Sequence, residues 1–536
     1  MPRLREREGD EGGRGSEATT AVEAEELVGD ERDVLGLHLP LQANAARGRR
    51  RHTTMLAVEP VGVVRADIPN LVDGRLSPAT SAAWLEKARP ADGADLCRVA
   101  RSGADDVAAA VAAAGRAQPA WADLTAVARG DVLRELALLV RANREELAEI
   151  VVEETGKPLD LALGEADAAA EMGFFVAGEG RRSYGRTLTS AMPHRTVLTM
   201  RQPLGVAALI MSFNTPLPNI AWKAFPSMLC GNASVVKPSE HAPASALRFA
   251  ELALEAGVPP GVLNVVQGLG SEAGAALVEH EDVALVSFTG SAETGRWINE
   301  TAGRRLAKVC LELGGKNALV VADDADLESA VRWALASAFS NAGQRCAAAS
   351  RIVVLDAVHE EVRERFVAGA RALPPEPVIS EQSLQRILAA LDAARAQGAE
   401  VLCGGERLDR PGWYLPPTVV EGAAPDSDIS RTELFGPVTL LLRARDLDHA
   451  MEIVNDSPFG LTASIHTASV HRAMRFAERA QAGVVVVNGG THGSEPHMGF
   501  GGVKSSGTGW REAGVEALDV YSDLKVVNLI ADPERT

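Results

Sequence analysis

Cysteine is scarce in this chain: five among 536 residues, at positions 97, 230, 310, 346 and 403, with no close CxxC pair. That odd, scattered set argues against a disulfide framework or a zinc site and fits reduced thiols in a cytoplasm. Long apolar runs are also missing. The stretch 204–211 is among the longest, well short of the ~20 residues a membrane helix needs. No basic-then-apolar signal segment opens the chain. Positive charge is in deficit, 54 Lys and Arg against 72 Asp and Glu, for a net charge of −18 and a pI near 5.2. Nucleic acid and anionic membranes both need a basic surface. The expectation is a soluble cytoplasmic protein with no metal site, no nucleic-acid partner and no membrane partner.

What is present is an ordinary globular composition, 46% hydrophobic and 24% charged, on a chain too long for one compact core. Residues 1–54 are rich in Arg, Glu, Gly and Asp without hydrophobic periodicity, and they read as a disordered tail. An apolar run begins at Met55. The tail is a solvated extension, the upstream part of a chain that truly starts at Met55, or a regulatory arm. From about Asp105, apolar residues at Val107, Val111, Ala114 and Ala117, then Leu133, Leu136, Val140 and Leu147, recur at helical spacing.

Short β-rich runs then alternate with helices. Strands are predicted at 205–211, 233–237, 262–266, 283–288 and 318–321, with helices at 220–229 and 243–256 between the first three. A second series follows Asn341, with strands at 351–355, 438–442 and 483–488. Such alternation predicts an α/β fold of mainly parallel sheets covered by helices. The segments 195–201 and 520–529 read as extended chain that pairs outside the main sheets.

The chemistry centres on Cys346, in Asn341-Ala342-Gly343-Gln344-Arg345-Cys346, and on Glu312, 34 positions upstream in Glu312-Leu313-Gly314-Gly315-Lys316-Asn317. A thiol that attacks a carbonyl and a carboxylate that activates water together take an aldehyde to an acid through a thioester. The bland reading of a free cysteine is a small buried hydrophobe; its glycine, glutamine and arginine neighbours do not suit that reading. The turn Gly268-Leu269-Gly270 through Gly274 follows a strand, one residue longer in spacing than the usual dinucleotide fingerprint. Phe288-Thr289-Gly290-Ser291 ends the next strand and starts a helix, where N–H groups and a hydroxyl suit a pyrophosphate. Both are equally compatible with plain strand-to-helix turns. Lys237-Pro238-Ser239-Glu240 suits ribose hydroxyls and repels a 2′-phosphate; the alternative is a helix start with Ser239 as cap and Glu240 near the dipole. Asn214, in a loop after a buried strand, serves either a turn or a forming oxyanion.

Seven motifs stand in an order that resembles the aldehyde dehydrogenase superfamily: Phe213-Asn214-Thr215-Pro216, the Lys237 and Phe288 motifs, the Glu312 motif, Gly343-Gln344-Arg345-Cys346, Glu433-Leu434-Phe435-Gly436-Pro437 and Phe500-Gly501-Gly502-Val503-Lys504. The resemblance spans roughly residues 60–530. It implies Cys346 as nucleophile, Glu312 as general base, Asn214 as oxyanion donor and Lys223 in proton relay. It implies Lys237 and Glu240 on the adenosine ribose, Ser291 on the pyrophosphate, Glu433 on the nicotinamide ribose and Phe435 against the nicotinamide. Ser239, Phe288 and Gly290, from the same motifs, and Gly270, from the glycine-rich turn, complete the expected cofactor set. The implied cofactor is NAD, with NADP possible.

The implied fold is an NAD-binding domain over 55–180 and 202–313, a catalytic domain over 314–510, and an oligomerisation arm over 181–201 and 511–536 that builds a homodimer or homotetramer. Glu312 favours water over CoA as acyl acceptor. A CoA-acylating enzyme and a non-catalytic member of the fold are the competing readings.

Three departures from the family pattern stand out. Residues 374–377 read Pro-Pro-Glu-Pro where the family usually carries about a dozen more residues. Thr508-Gly509-Trp510-Arg511-Glu512 has one residue more than the common pattern, which leaves Glu512 open as the relay carboxylate. Phe213 and Thr215 replace a frequent Trp and Phe. Thr215, Asn219, Trp222 and Arg345 correspond to the substrate tunnel, and their polarity predicts a polar aldehyde or semialdehyde. The other reading pairs Arg345 with a structural carboxylate.

Overall fold

The computed structural model describes residues 63–531 apart from Tyr184, together with Glu534. The tail expected over 1–54 and the start of the apolar run at Met55 lie outside the described residues. Two seven-stranded sheets carry the described chain. In the first, the spatial order is Lys308–Leu313, Val283–Gly290, Val206–Ile210, Ala233–Lys237 and Leu263–Val265, all parallel, extended by the antiparallel hairpin Asn70–Val72 and Arg75–Ser77. Val206–Ile210 and Ala233–Lys237 are buried at every residue. Helices on both faces of a parallel sheet produce that pattern, which is why these strands read as continuous apolar runs.

Chain order reverses between Val206–Ile210 and Val283–Gly290, which lie side by side although two other strands separate them in sequence. A reversal of this kind opens a crevice at the carboxyl ends of the strands, the usual ligand position in open α/β sheets.

The chain leaves the first sheet at Leu313 and enters the second at Asn317. That sheet runs Glu400–Cys403, Thr418–Glu421, Val438–Ala444, Ala349–Leu355, Asn317–Val321, Thr462–His466 and Val484–Val487, parallel except at its first pair. The short crossover sets the carboxyl end of the Lys308–Leu313 strand, which holds Glu312, beside the amino ends of Asn317–Val321 and Ala349–Leu355. Cys346 lies just ahead of the latter.

The segments expected to pair outside the main sheets pair with each other. Arg195–Pro203 runs antiparallel to Ser522–Ile530 over nine residues, with Thr187–Leu188 as third strand. The last turn of the helix Ala517–Val520 takes the first residue of the predicted extension. The strands of the sheet Asp67–Ile68, Asp95–Ala100 and Trp84–Ala88 have no counterpart in the sequence reading. They are short and half-exposed, so their apolar residues form no run. No described helix is long and apolar enough to cross a membrane.

Candidate active site

A cleft of ≈ 930 Å³ opens at the switch point of the first sheet, lined by the strand ends at Ile210 and Gly290, and extends to Cys346 and Glu433. It is lined by Cys346, Glu312, Asn214, Lys237, Ser239, Glu240, Gly270, Phe288, Gly290, Ser291, Glu433, Phe435, Thr215, Asn219, Trp222 and Arg345. Every candidate catalytic, cofactor and substrate residue is therefore brought to one place except Lys223, which is fully buried and does not line the cleft.

Local packing explains the glycines of the Glu312 motif. A Cβ on Gly314 would collide with the Glu433 carboxylate, and one on Gly315 would sit 2.8 Å from the Cys346 carbonyl. Only a bare backbone passes between those two groups. Gly315 N–H donates to Glu433 Oε1 at 3.0 Å, which fixes that carboxylate at the cleft wall. Beyond the helix Leu327–Phe339, the turn Ser340–Gly343 holds Asn341 (φ 57°) and Ala342 (φ 52°) in the left-handed region, a costly conformation for non-glycine residues. Asn317 Nδ2 donates to the Cys346 carbonyl at 2.7 Å, and Thr491 Oγ1 to that of Ala347 at 2.6 Å. The nucleophile loop is thus tied down at the two carbonyls that follow the thiol.

Burial, then Glu433 and Glu312, push the Cys346 thiol up to about 12, although Ala347 N–H and Arg345 work the other way. Glu312 is driven well above the usual carboxylate range by burial and then by Glu512. Among the described residues neither Glu312 oxygen has a hydrogen-bond partner, and neither does Asn214 Oδ1. Among the described residues the Asn214 side-chain N–H groups meet no acceptor either, which leaves them available to a ligand.

Lys223 Nζ stands 2.5 Å from Glu512 Oε1 and 3.0 Å from Ser287 Oγ, while Ser287 Oγ donates to the same carboxylate oxygen at 2.7 Å and accepts from Tyr521 at 3.1 Å. Glu512 lines the cleft, so this buried chain of polar groups reaches its wall. Ser287 and Tyr521 carry no sequence signal: a serine within a buried strand and a tyrosine near the end of the chain both read as ordinary packing.

The cofactor half fits an adenine dinucleotide. Lys237 Nζ lies 3.4 Å from Glu240 Oε2. Burial opposes the Glu240 charge, but Lys237, the backbone and His241 outweigh it and hold the carboxyl below its ordinary value. The reading of Ser239 as helix cap does not hold: its hydroxyl accepts from His241 N–H, and the helix Pro243–Glu255 starts after Ala242. That helix is capped instead by Glu154, whose carboxylate accepts from Ala244 and Ser245 N–H. Ser291 does cap its helix, Ala292–Gly303, at the cleft edge, where Thr289 Oγ1 is buried without a partner. Phe213 packs edge-on between His241 and Phe435, at 5.7 and 5.6 Å, an aromatic partition joining the Glu240 and Glu433 ends.

Trp222 packs against Phe500 at 5.5 Å in the other half of the cleft. Arg345 lies there half-buried, its Nε without a partner, and it forms no ion pair among the described residues. It makes no direct pair with a structural carboxylate, although Glu165 and Glu376 lie near enough to feel its charge. His492, which also lines the cleft, is pushed down to about 4 by burial and by Arg345, so its ring is neutral.

Comparison with known proteins gives the same picture. The sequence model of the aldehyde dehydrogenase family matches residues 77–527. The chain is 37% identical over 465 residues to a succinate-semialdehyde dehydrogenase [NADP(+)] of Escherichia coli K12, covering 85% of this chain and 96% of that one. It is 39% identical over 471 residues to a betaine aldehyde dehydrogenase of Cereibacter sphaeroides, with the same coverage. Among solved structures, a betaine aldehyde dehydrogenase point mutant of Staphylococcus aureus in complex with NAD+ superposes with a TM-score of 0.85 at 31% identity, covering 87% of this chain and 96% of that one.

Proposed function

The chain belongs to the aldehyde dehydrogenase family, enzymes that oxidise an aldehyde to a carboxylic acid with NAD(P)+, and we propose that its own substrate is a semialdehyde whose far end carries an anion. The observation that carries this reading is the guanidinium of Arg345 at the cleft wall beside the nucleophile, which makes no direct ion pair among the described residues although Glu165 and Glu376 feel its charge. A half-buried cation without a hydrogen-bonded partner gains from a ligand that completes it. A carboxylate would do so through charge-assisted hydrogen bonds, with the neutral His492 ring and Asn219 as further polar neighbours. A quaternary ammonium wants aromatic faces and no cation nearby; Arg345 opposes it.

In the reaction, the Cys346 thiol gives its proton to solvent water reaching the cleft, and the thiolate sulfur adds to the aldehyde carbon. The oxyanion accepts from the Asn214 amide and the Cys346 N–H. NAD(P)+ supplies hydride acceptance when bound, with Lys237, Ser239, Glu240, Gly270, Phe288, Gly290 and Ser291 assigned to its adenosine and phosphate end, and Glu433 and Phe435 to its nicotinamide end. NAD is preferred because the ionised Glu240 repels a 2′-phosphate. Glu312 then takes a proton from water, whose oxygen attacks the Cys346 thioester and releases the acid. Lys223, Ser287 and Glu512 carry protons away from the wall of the cleft.

We assign 55–180 and 202–313 to the cofactor domain, 314–510 to the catalytic domain, and 181–201 with 511–536 to an arm that joins subunits into a homodimer or homotetramer. Exposed Met200, Leu524, Val526, Leu529 and Ile530 on the arm sheet support an interface there. Five unpaired cysteines support a cytoplasmic location.

The test is NADH formation across an aldehyde panel with NAD and NADP. Semialdehydes should show the highest kcat/KM, Arg345→Met should lower it about 10- to 100-fold for them, the worth of one charged hydrogen bond, and neutral aldehydes should change little. Faster turnover of long aliphatic aldehydes would overturn the substrate reading. Equal activity in Cys346→Ala would overturn the nucleophile, and acyl-CoA formation on adding CoA would favour the acylating class.

A further inference from the structure

Residues far apart in sequence converge on one main-chain atom, the carbonyl oxygen of Asn214. Lys157 Nζ donates to it at 2.7 Å, and Asn341 Nδ2 at 3.1 Å. Lys157 also pairs with the Glu165 carboxylate, and the two side chains are only 1% and 8% exposed. The helix Arg144–Thr155 ends on the left-handed Gly156 (φ 75°), after which the chain buries Lys157. A lysine just past a helix end ordinarily reaches solvent. Burying this one with its glutamate costs desolvation that packing alone does not require.

The second contact comes from the short segment 374–377. Glu376 accepts from Ala342 N–H at 2.8 Å, within the left-handed run at Asn341 and Ala342. Pro377, at the end of that segment, and Ile379, two residues beyond it, meet Gln344: Gln344 Nε2 donates to the Pro377 carbonyl at 3.4 Å and Gln344 Oε1 accepts from Ile379 N–H at 2.9 Å. The nucleophile loop is therefore gripped by Glu376 on one side and joined through Asn341 to the carbonyl that Lys157 holds on the other.

Resting on the reading of Asn214 and Cys346 given above, we propose that Lys157 and Glu376 are positioning residues, a two-point clamp that fixes the Asn214 loop against the Cys346 loop so that both oxyanion donors face one point. Neither touches the reacting atoms; each acts through a backbone group. Glu165 neutralises Lys157 and keeps it at its post, and its second oxygen is buried without a partner.

The test uses the full chain with Lys157→Met, Glu376→Ala, Glu376→Gln and Asn214→Ala. Because Lys157→Met strands Glu165, the double variant Lys157→Met with Glu165→Leu is made alongside it. Loss of an oxyanion donor costs about 10²–10³ in rate, so loss of its positioning should lower kcat about 10- to 100-fold. NAD+ affinity should hold, and the isotope effect with aldehyde deuterated at the carbonyl carbon should rise as hydride transfer becomes limiting. Glu376→Ala should show the same signature and Glu376→Gln, which keeps an acceptor for Ala342 N–H, should restore it. Adding Lys157→Met to Asn214→Ala should cost little more than Asn214→Ala alone. Fully additive losses, or an unchanged isotope effect, would overturn the clamp. Wild-type rates in Asn214→Ala would instead overturn the oxyanion reading beneath it.

Discussion

Cys346 and Glu312 share an environment that opposes ionisation of both, and that sets how the reaction responds to pH. The thiol is pushed up to about 12 and the Glu312 carboxyl well above its ordinary value, each chiefly by burial. At low pH both keep their protons, and a protonated Glu312 cannot take one from water. kcat should therefore rise with pH as Glu312 ionises. In Glu312→Gln the thioester should still form, because hydride leaves before the base is needed. The variant should keep a burst of NADH near one equivalent per site while steady turnover falls about 10²- to 10⁴-fold, the range for loss of a general base. Stopped-flow traces against pH check both statements. Steady turnover at the wild-type rate would remove Glu312 from deacylation.

The elements show what a sequence can and cannot disclose. Buried parallel strands such as Val206–Ile210 and Ala233–Lys237 are legible because both faces are covered and every residue but Lys237, at the cleft end, is apolar or small. The Cys346 loop is legible because glycine, glutamine and arginine are odd company for a buried thiol. The clamp was not legible: Lys157, Asn214, Asn341 and Glu376 belong to four separate segments, and nothing in any one of them announces the others. Arg345 was legible as a polar residue near the tunnel, but only the structure shows that among the described residues it makes no ion pair and that its Nε has no partner. The start of the helix Pro243–Glu255 makes the same point. Ser239 had the right chemistry for a cap, yet Glu154, 90 positions before Ala244, takes the role. Pro243 at the first turn has no N–H to satisfy, so the Glu154 carboxylate serves the next two donors. Glu154→Ala leaves both N–H groups buried and unpaired, and should lower stability by about 1–3 kcal/mol, seen as an earlier midpoint in urea; an unchanged midpoint would show that the cap is dispensable.

Across the whole molecule, ionisable groups buried for function leave a trace in stability. Glu433 is pushed up to about 7 by burial, against the pull of Gly315 N–H and Lys316, and Glu154 to about the same value, again by burial first. Both carboxyls hold protons more tightly folded than unfolded. Between their ordinary value near 4.5 and about 7 the folded state binds the excess protons, so stability is highest below that window, falls as pH rises through it, and levels off above. His492 works the other way between about 4 and its ordinary value of 6.5, since the unfolded chain then binds the extra proton. Glu433→Gln isolates one share of this pH dependence, because the amide keeps an acceptor for Gly315 N–H and carries no charge to bury. The variant should melt at a higher temperature than wild type at pH 8 and at nearly the same temperature at pH 5. Each pKa unit is worth about 1.4 kcal/mol, so the gain at pH 8 is on the order of a few kcal/mol at most. The same substitution should weaken NAD+ binding or slow turnover if Glu433 holds the nicotinamide ribose, the usual exchange between stability and function at a site. Scanning fluorimetry of the free enzyme at the two pH values decides the matter, and an equal difference at pH 5 and pH 8 would show that the Glu433 charge is not what the fold bears.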